Sequence, residues 1–177
     1  ERFAVEKAMG DILQDSGLLV PLRLAYDNEE MTIVYTYIDG VPIVDLLEIM
    51  AEGKVQMIFG QICAWLVKFY GLTLQKMGCQ YILGDIHLRN FIYDQEADRV
   101  YGLDFEECRP GRIETDAARL WTFILNYDPA FTERKRSLAS FVKESLFRDL
   151  QLEEEFFVQE VARETEELVL RRGSKPD

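Results

Sequence analysis

Residues 80–106 read QYILGDIHLRNFIYDQEADRVYGLDFE, and this stretch decides the fold class that the sequence predicts. Apolar and β-branched residues at 91–94 and again at 99–105, with turn-forming residues between them, indicate two short strands of a hairpin. Polar residues flank this hairpin, with Asn90 before it and Asp104 at its far end. Because a hairpin returns the chain to its starting point, the two side chains are expected to lie close together.

The sequence on either side of this stretch is mostly helical in pattern. Helices are predicted at 2–15, from Pro42 through Met50, at 54–77, from Glu114 to the Asp128–Pro129 pair, at 132–149 and at 152–172, with further strands at 22–26, 31–38 and 80–83. Glu114 or Thr115 is expected to cap its helix, and Gly78 to end the helix at 54–77. Apolar residues at helical spacing are expected in the core, namely Trp65, Phe131, Leu138, Phe141, Phe157, Val161 and Leu168. A helix, a hairpin and then mostly helices predict an α+β fold.

The composition of the 177 residues argues against several functions. A formal net charge of −12 argues against the basic stripe that binds nucleic acid. Three cysteines without a CxxC pair favour reduced thiols in the cytoplasm over a disulfide framework or a zinc site. No uninterrupted apolar run approaches the ~18 residues of a membrane span, so none is expected. The chain lacks an initiator Met and is expected to be part of a longer protein.

Asp85 and Asn90 stand in a D-x-x-x-x-N arrangement, and Asp104 follows 14 residues after Asn90. Phosphoryl transfer from ATP requires a carboxylate that orients the attacking hydroxyl and accepts its proton. It also requires oxygen ligands that hold Mg²⁺ against the phosphates. A loop carboxylate, together with an Asn and an Asp joined by a hairpin, supplies both kinds of group. Each element is common on its own, but the combination predicts phosphoryl transfer.

Three segments, LGDIHLRNF at 83–91, GLDFEE at 102–107 and TDAARL at 115–120, resemble the protein-kinase-like superfamily. The resemblance is to the branch of aminoglycoside phosphotransferases and choline kinases. It implies a protein kinase-like fold, with a mostly helical large lobe over 41–177. Residues 1–40 would then hold a truncated small lobe, made of a bridging helix and a β-hairpin, and the hinge. The resemblance also implies ATP and Mg²⁺ as cofactors.

The same resemblance implies roles for residues of the loop at 84–90 and of the Asp-Phe-Glu segment at 104–106. Asp85 resembles the catalytic base, and Asn90 and Asp104 resemble the magnesium ligands. His87 matches the histidine of the family's loop and is a candidate catalytic residue. In the family, this histidine more often shapes the loop by hydrogen bonding than it exchanges protons. Asp116 resembles the helix aspartate that accepts hydrogen bonds from the backbone of the catalytic loop.

Nucleotide-binding residues are implied in the first 40 residues. Glu6 resembles the glutamate that pairs with a nucleotide-binding lysine, although a solvated helix glutamate is nearly as common. Backbone groups of Thr36 and Ile38 would meet the adenine, and Tyr35 would stand at the gatekeeping position.

The sequence departs from the family pattern in several places. No glycine-rich loop and no strand lysine are found in these 177 residues. Leu83 stands where the family usually has His, and Glu106 stands where Asp-Phe-Gly has Gly. Only 12 residues separate Asp104 from Asp116, too few for an activation loop and a peptide-docking surface. The favoured acceptor is therefore a hydroxyl of a small metabolite, lipid or sugar.

Three interpretations remain open at the level of sequence. The chain is part of an ATP- and Mg²⁺-dependent phosphotransferase, acting on a small molecule or, as an atypical kinase, on protein serine or threonine. Alternatively, it is a weakly active or inactive nucleotide-binding or scaffolding module of the same fold. The third possibility is an unrelated α+β domain. The sequence does not predict the oligomeric state of the protein.

Overall fold

A computed structural model describes residues 1–173, which form six helices and three small antiparallel sheets. In chain order these are α1 (Arg2–Leu13), β1 (Arg23–Asp27), β2 (Thr32–Tyr35), β3 (Val41–Pro42), α2 (Ile43–Leu46), α3 (Glu52–Met77), β4 (Tyr81–Ile82), a 3₁₀ turn (Leu88–Asn90), β5 (Phe91–Asp94), β6 (Arg99–Gly102), β7 (Arg109–Pro110), α4 (Ile113–Asn126), α5 (Glu133–Leu150) and α6 (Glu154–Gly173). The α+β class is confirmed.

The three sheets contain short strands that the sequence did not predict. β1 pairs with β2, and β5 lies between β3 and β6, whereas β4 pairs with β7. The two-residue strands β3 and β7 were not predicted, because two residues carry no periodicity. The strand predicted over 99–105 ends at Gly102, and Asp104 beyond it adopts the left-handed backbone region with φ of 62°.

The central helix α3 organises the core. One face of it is fully buried, through residues such as Ile58, Phe59, Ile62 and Leu66. The predicted end is confirmed, since Gly78 takes φ of 72° and its N–H bonds to the carbonyl of Leu74. Within residues 1–173, only α3 is long and apolar enough to cross a membrane, and half of its most apolar window is buried inside the fold. The absence of a membrane span stays a prediction.

Two predictions about the later helices are wrong. Phe131 is 47% exposed, because it lies before α5 rather than on its buried face. Neither Glu114 nor Thr115 caps α4, whose N-cap is Arg112. The carboxylate of Glu114 instead accepts a hydrogen bond of 3.0 Å from the N–H of Glu153 and so ties α4 to the start of α6.

Gly102 allows β6 to pack directly against α3. A Cβ at this position would lie 2.2 Å from Cζ2 of Trp65, a side chain only 5% exposed. We expect Gly102→Ala to lower the free energy of unfolding by about 1–3 kcal/mol, because the indole must move within a close-packed core. Chemical denaturation of the purified variant measures this change.

Gly71→Ala is the matched control. A Cβ at Gly71, on the exposed side of α3, meets nothing within 4 Å. This variant is expected to gain roughly 0.5–1 kcal/mol, since alanine is the better helix former. Equal effects of the two substitutions would show that Gly102 is not constrained by Trp65.

Candidate functional site

The backbone hairpin connects the three polar residues that the sequence singles out. Nδ2 of Asn90 donates a hydrogen bond of 3.0 Å to the carbonyl oxygen of Asp85. The carbonyl oxygen of Asn90 in turn accepts a bond of 2.9 Å from the N–H of Leu103, the residue before Asp104. Asn90 therefore stands between the two aspartates, as the predicted hairpin requires.

The loop at 84–90 is anchored by a buried carboxylate. Asp116, 1% exposed, accepts hydrogen bonds from the N–H groups of Leu83 and Gly84 at 2.7 and 3.0 Å. The hydroxyl of Tyr70 donates a third bond of 2.9 Å. Burial raises the pKa of Asp116, although the three donors act in the opposite direction. The backbone-anchoring role implied for Asp116 is confirmed by these bonds.

Gly84 lets the loop turn at this anchor. Its φ is +79°, and a Cβ there would lie 2.4 Å from the carbonyl oxygen of Glu107. The glycine is thus required both by backbone conformation and by the close approach of the segment after β6.

His87 shapes the same loop. Its carbonyl oxygen accepts a bond of 3.0 Å from the N–H of Asn90, which closes the 3₁₀ turn. Its Nε2 lies 3.8 Å from Oδ2 of Asp85, beyond hydrogen-bond distance, and its buried Nδ1 has no partner among the described residues. The geometry places His87 beside Asp85 without a direct proton path between them.

An apolar cavity of about 300 Å³, here called the hinge cavity, lies next to Asp104. Its lining comprises Glu6, Pro21, Tyr35, Thr36, Tyr37, Ile38, Ile92, Leu103, Asp104 and Phe105. The structure therefore brings together all the predicted nucleotide-binding residues except Asn90. The N–H of Thr36 is not available to a ligand, because it donates a hydrogen bond of 2.8 Å to the carbonyl of Leu22. Within residues 1–173, neither the carbonyl of Thr36 nor the N–H of Ile38 has a hydrogen-bond partner.

Glu6 joins β2 to the Asp-Phe-Glu segment. Its Oε1 accepts a bond of 2.7 Å from the hydroxyl of Tyr35, and its Oε2 accepts one of 2.6 Å from the N–H of Phe105. Burial raises the pKa of Glu6, and the Asp104 carboxylate adds to that increase. The partners of Glu6 are thus a tyrosine and a backbone amide, where the resemblance implied a lysine.

A second cavity of about 160 Å³, here called the α4–α6 cavity, opens beside Asp85. It is lined by Asp85, Ile86, His87, Arg119, Thr122, Phe123, Glu164, Leu168 and Arg171. Of these residues, only Asp85 and His87 were predicted as site residues, because Arg119 and Glu164 come from two helices and lie 45 positions apart in the chain. A larger cavity of about 650 Å³ lies between α1 and residues 106–110 and contains none of Asp85, Asn90 and Asp104.

The donor set suits Mg²⁺ better than a transition metal. No three His, Cys, Asp or Glu side chains in the described part of the chain form a metal-binding group. Mg²⁺, however, is commonly held by one or two protein oxygens together with substrate phosphates. The Asp104 carboxylate has no hydrogen-bond donor within residues 1–173, and the amide nitrogen of Asn90 is committed to Asp85. The oxygens of both side chains are therefore free to act as hard ligands.

Comparison with known proteins adds no assignment: no family model matches this chain, and no curated protein matches its sequence.

Proposed function

We propose that this chain carries the catalytic site of an ATP- and Mg²⁺-dependent phosphotransferase with a protein kinase-like fold. One observation carries the proposal. Asp104 lines the hinge cavity, Asp85 lines the α4–α6 cavity, and Asn90 is hydrogen-bonded between the two segments. Because hydrogen bonds of Asn90 link the walls of the two cavities, we place the nucleotide in one and the acceptor in the other, with transfer at these three residues. That arrangement suits transfer between two bound molecules.

The free backbone groups of the hinge cavity favour adenine over guanine. The carbonyl of Thr36 would accept a hydrogen bond from the adenine amino group, and the N–H of Ile38 would donate to the adjacent ring nitrogen. Guanine presents a carbonyl and a protonated ring nitrogen on the same edge. Two acceptors would then face each other at Thr36 and two donors at Ile38, so neither bond would form. The apolar walls of the cavity suit the base itself.

The chemistry assigns a separate task to each polar residue. Asp85 orients the acceptor hydroxyl and takes its proton as the oxygen attacks the γ-phosphorus. Asn90 and Asp104 would hold Mg²⁺, which would neutralise charge on the phosphates. Asp116 and His87 fix the loop that carries Asp85. A cytoplasmic setting agrees with the free state of Cys63, Cys79 and Cys108.

Asp104→Asn tests the nucleotide site. Asn tolerates the left-handed backbone at this position, so the variant is expected to fold, but it removes the negative charge that holds the metal. We expect the affinity of the full-length protein for ATP in MgCl₂ to fall by at least about 10-fold, or ~1.4 kcal/mol. Titration calorimetry measures this affinity.

Asp149→Asn is the matched control, since Asp149 pairs with Arg148 at the end of α5 and lines neither cavity. Its affinity for Mg²⁺-ATP is expected to equal that of the parent. Equal affinities for the parent and for Asp104→Asn would contradict the metal assignment. Metal-dependent ATP binding without any ADP release would instead favour the nucleotide-binding scaffold.

A further inference from the structure

The charged side chains that line the α4–α6 cavity are equal in number and opposite in sign. Its lining contains two carboxylates, Asp85 and Glu164, and two guanidinium groups, Arg119 and Arg171. Nε and Nη2 of Arg119 bind Oε1 of Glu164 at 2.9 and 2.6 Å. Nη2 of Arg171 lies 3.7 Å from the other oxygen of that glutamate. Because burying a charge without a counter-ion is costly, this lining favours an uncharged ligand.

Two buried polar atoms without partners belong to residues that line the same cavity. Thr122 is only 2% exposed, and its Oγ1 has no hydrogen-bond partner among the described residues. Nδ1 of His87 is also buried and without a partner there, although the His87 side chain as a whole is 27% exposed. Buried polar groups are nearly always satisfied in folded proteins, so an orphaned hydroxyl and imidazole at one cavity point to a ligand that supplies partners. A hydroxyl can both donate and accept, and so can satisfy either atom.

The size and the remaining walls restrict the ligand further. At about 160 Å³ the cavity is smaller than the ~300 Å³ at the low end for sites of drug-sized ligands. Ile86, Phe123 and Leu168 supply apolar surface opposite the polar groups. A compact ring with hydroxyls on its rim and C–H groups on its faces matches both features.

We propose that the α4–α6 cavity binds the phosphate acceptor, and that the acceptor is a small uncharged polyhydroxy compound, either a cyclic polyol or a monosaccharide. This inference rests on the proposed phosphotransferase function and specifies its substrate class. One hydroxyl of the acceptor lies at Asp85, and others pair with Thr122 and His87.

The transfer step balances with ATP as the only co-substrate. The acceptor oxygen forms a bond to the γ-phosphorus as its proton passes to the carboxylate of Asp85. The bond between the γ-phosphorus and the bridging oxygen breaks, and ADP leaves with the electron pair. The proton is then released from Asp85 to solvent.

The first test incubates the full-length protein with Mg²⁺-ATP and a panel of acceptors, and detects phosphorylated products by mass spectrometry. Glucose and myo-inositol represent the uncharged class. Gluconate and glycerol 3-phosphate are the anionic comparisons, and choline and glucosamine the cationic ones. Phosphorylation of at least one uncharged compound, at 10-fold or more the rate of every charged one, is expected.

Thr122→Val tests the cavity itself, using the best uncharged acceptor of that panel. Loss of one neutral hydrogen bond should raise the KM for the acceptor by about 3–10-fold. The melting temperature should stay the same or rise, because the substitution removes an unsatisfied buried hydroxyl. A purely structural threonine would give the reverse, a lower melting temperature with an unchanged KM. Thr165→Val on the exposed side of α6, outside the cavity lining, is the matched control and should not raise the KM.

The outcomes separate this inference from the proposed function. Phosphorylation only of charged compounds, or only of a protein such as casein, would overturn the substrate class and leave the phosphotransferase standing. An unchanged acceptor KM for Thr122→Val would overturn the assignment of the cavity. Absence of metal-dependent ATP binding would overturn both.

Discussion

Asp85→Asn is expected to lower the rate of phosphoryl transfer by about 10²–10⁴-fold, because the amide cannot accept the proton of the acceptor hydroxyl. The affinity for Mg²⁺-ATP should remain at the parental value, since Asp85 lines the α4–α6 cavity and not the hinge cavity. The backbone carbonyl of Asp85, which holds Asn90, is unaffected by the substitution. ADP release from the full-length protein, with water or a polyol as acceptor, measures the rate.

The control for this variant is again Asp149→Asn, which makes the same chemical change away from both cavities. Its rate is expected to match the parent. A parental rate for Asp85→Asn would remove Asp85 from the catalytic role. A loss of rate accompanied by an equal loss of ATP affinity would instead place Asp85 in the nucleotide site.

Asp116→Ala is expected to destabilise the protein by about 3 kcal/mol or more. The substitution leaves the N–H groups of Leu83 and Gly84 and the hydroxyl of Tyr70 buried without an acceptor, and each unsatisfied group costs about 1–3 kcal/mol. Part of this cost is offset, because the raised pKa of Asp116 shows that burying its charge is itself unfavourable. Chemical denaturation at neutral pH measures the loss.

Two further variants test that explanation. Asp116→Asn keeps one carbonyl oxygen as an acceptor and should lose less stability than the alanine variant. Glu144→Ala removes an exposed carboxylate from α5 and should change stability by no more than about 0.5 kcal/mol. Equal losses for the alanine and asparagine variants would mean that the hydrogen bonds to the loop contribute little.

The sequence predicted the elements whose residues carry strong local signals. The helix α3 has 26 residues with a regular apolar face and a glycine at its end, so its end was predicted correctly and its start within two residues. The hairpin of β5 and β6 was predicted from two apolar segments separated by turn-forming residues. Its far strand was predicted too long, because the apolar pattern continues through Phe105 whereas the strand ends at Gly102 and Asp104 takes a left-handed backbone conformation.

From the residues themselves, the candidate site was predicted only where its members are close in sequence. Glu6, Thr36 and Ile38 were named through the family resemblance. Asp85, His87 and Asn90 lie within one loop, and the hairpin joins them to Asp104. Phe131 was assigned to the core from helical spacing, but α5 begins two residues later, at Glu133. The partners of Glu6 were missed, since a hydrogen bond to the backbone of Phe105, 99 residues away, leaves no sequence signal.

The α4–α6 cavity could not be predicted for the same physical reason. Arg119 and Glu164 pair across two helices, and their attraction depends on the packing of α4 against α6 rather than on any local pattern. Thr122 was equally inconspicuous, because a threonine on a helix becomes notable only when its hydroxyl is found buried and unpartnered.

The most direct test is an experimental structure of the full-length protein with Mg²⁺ and a non-hydrolysable ATP analogue. The adenine is expected in the hinge cavity, with hydrogen bonds to the carbonyl of Thr36 and the N–H of Ile38. One Mg²⁺ is expected about 2.0–2.1 Å from a carboxylate oxygen of Asp104 and from Oδ1 of Asn90. A nucleotide bound elsewhere, or a magnesium ion that contacts neither side chain, would contradict the proposed function.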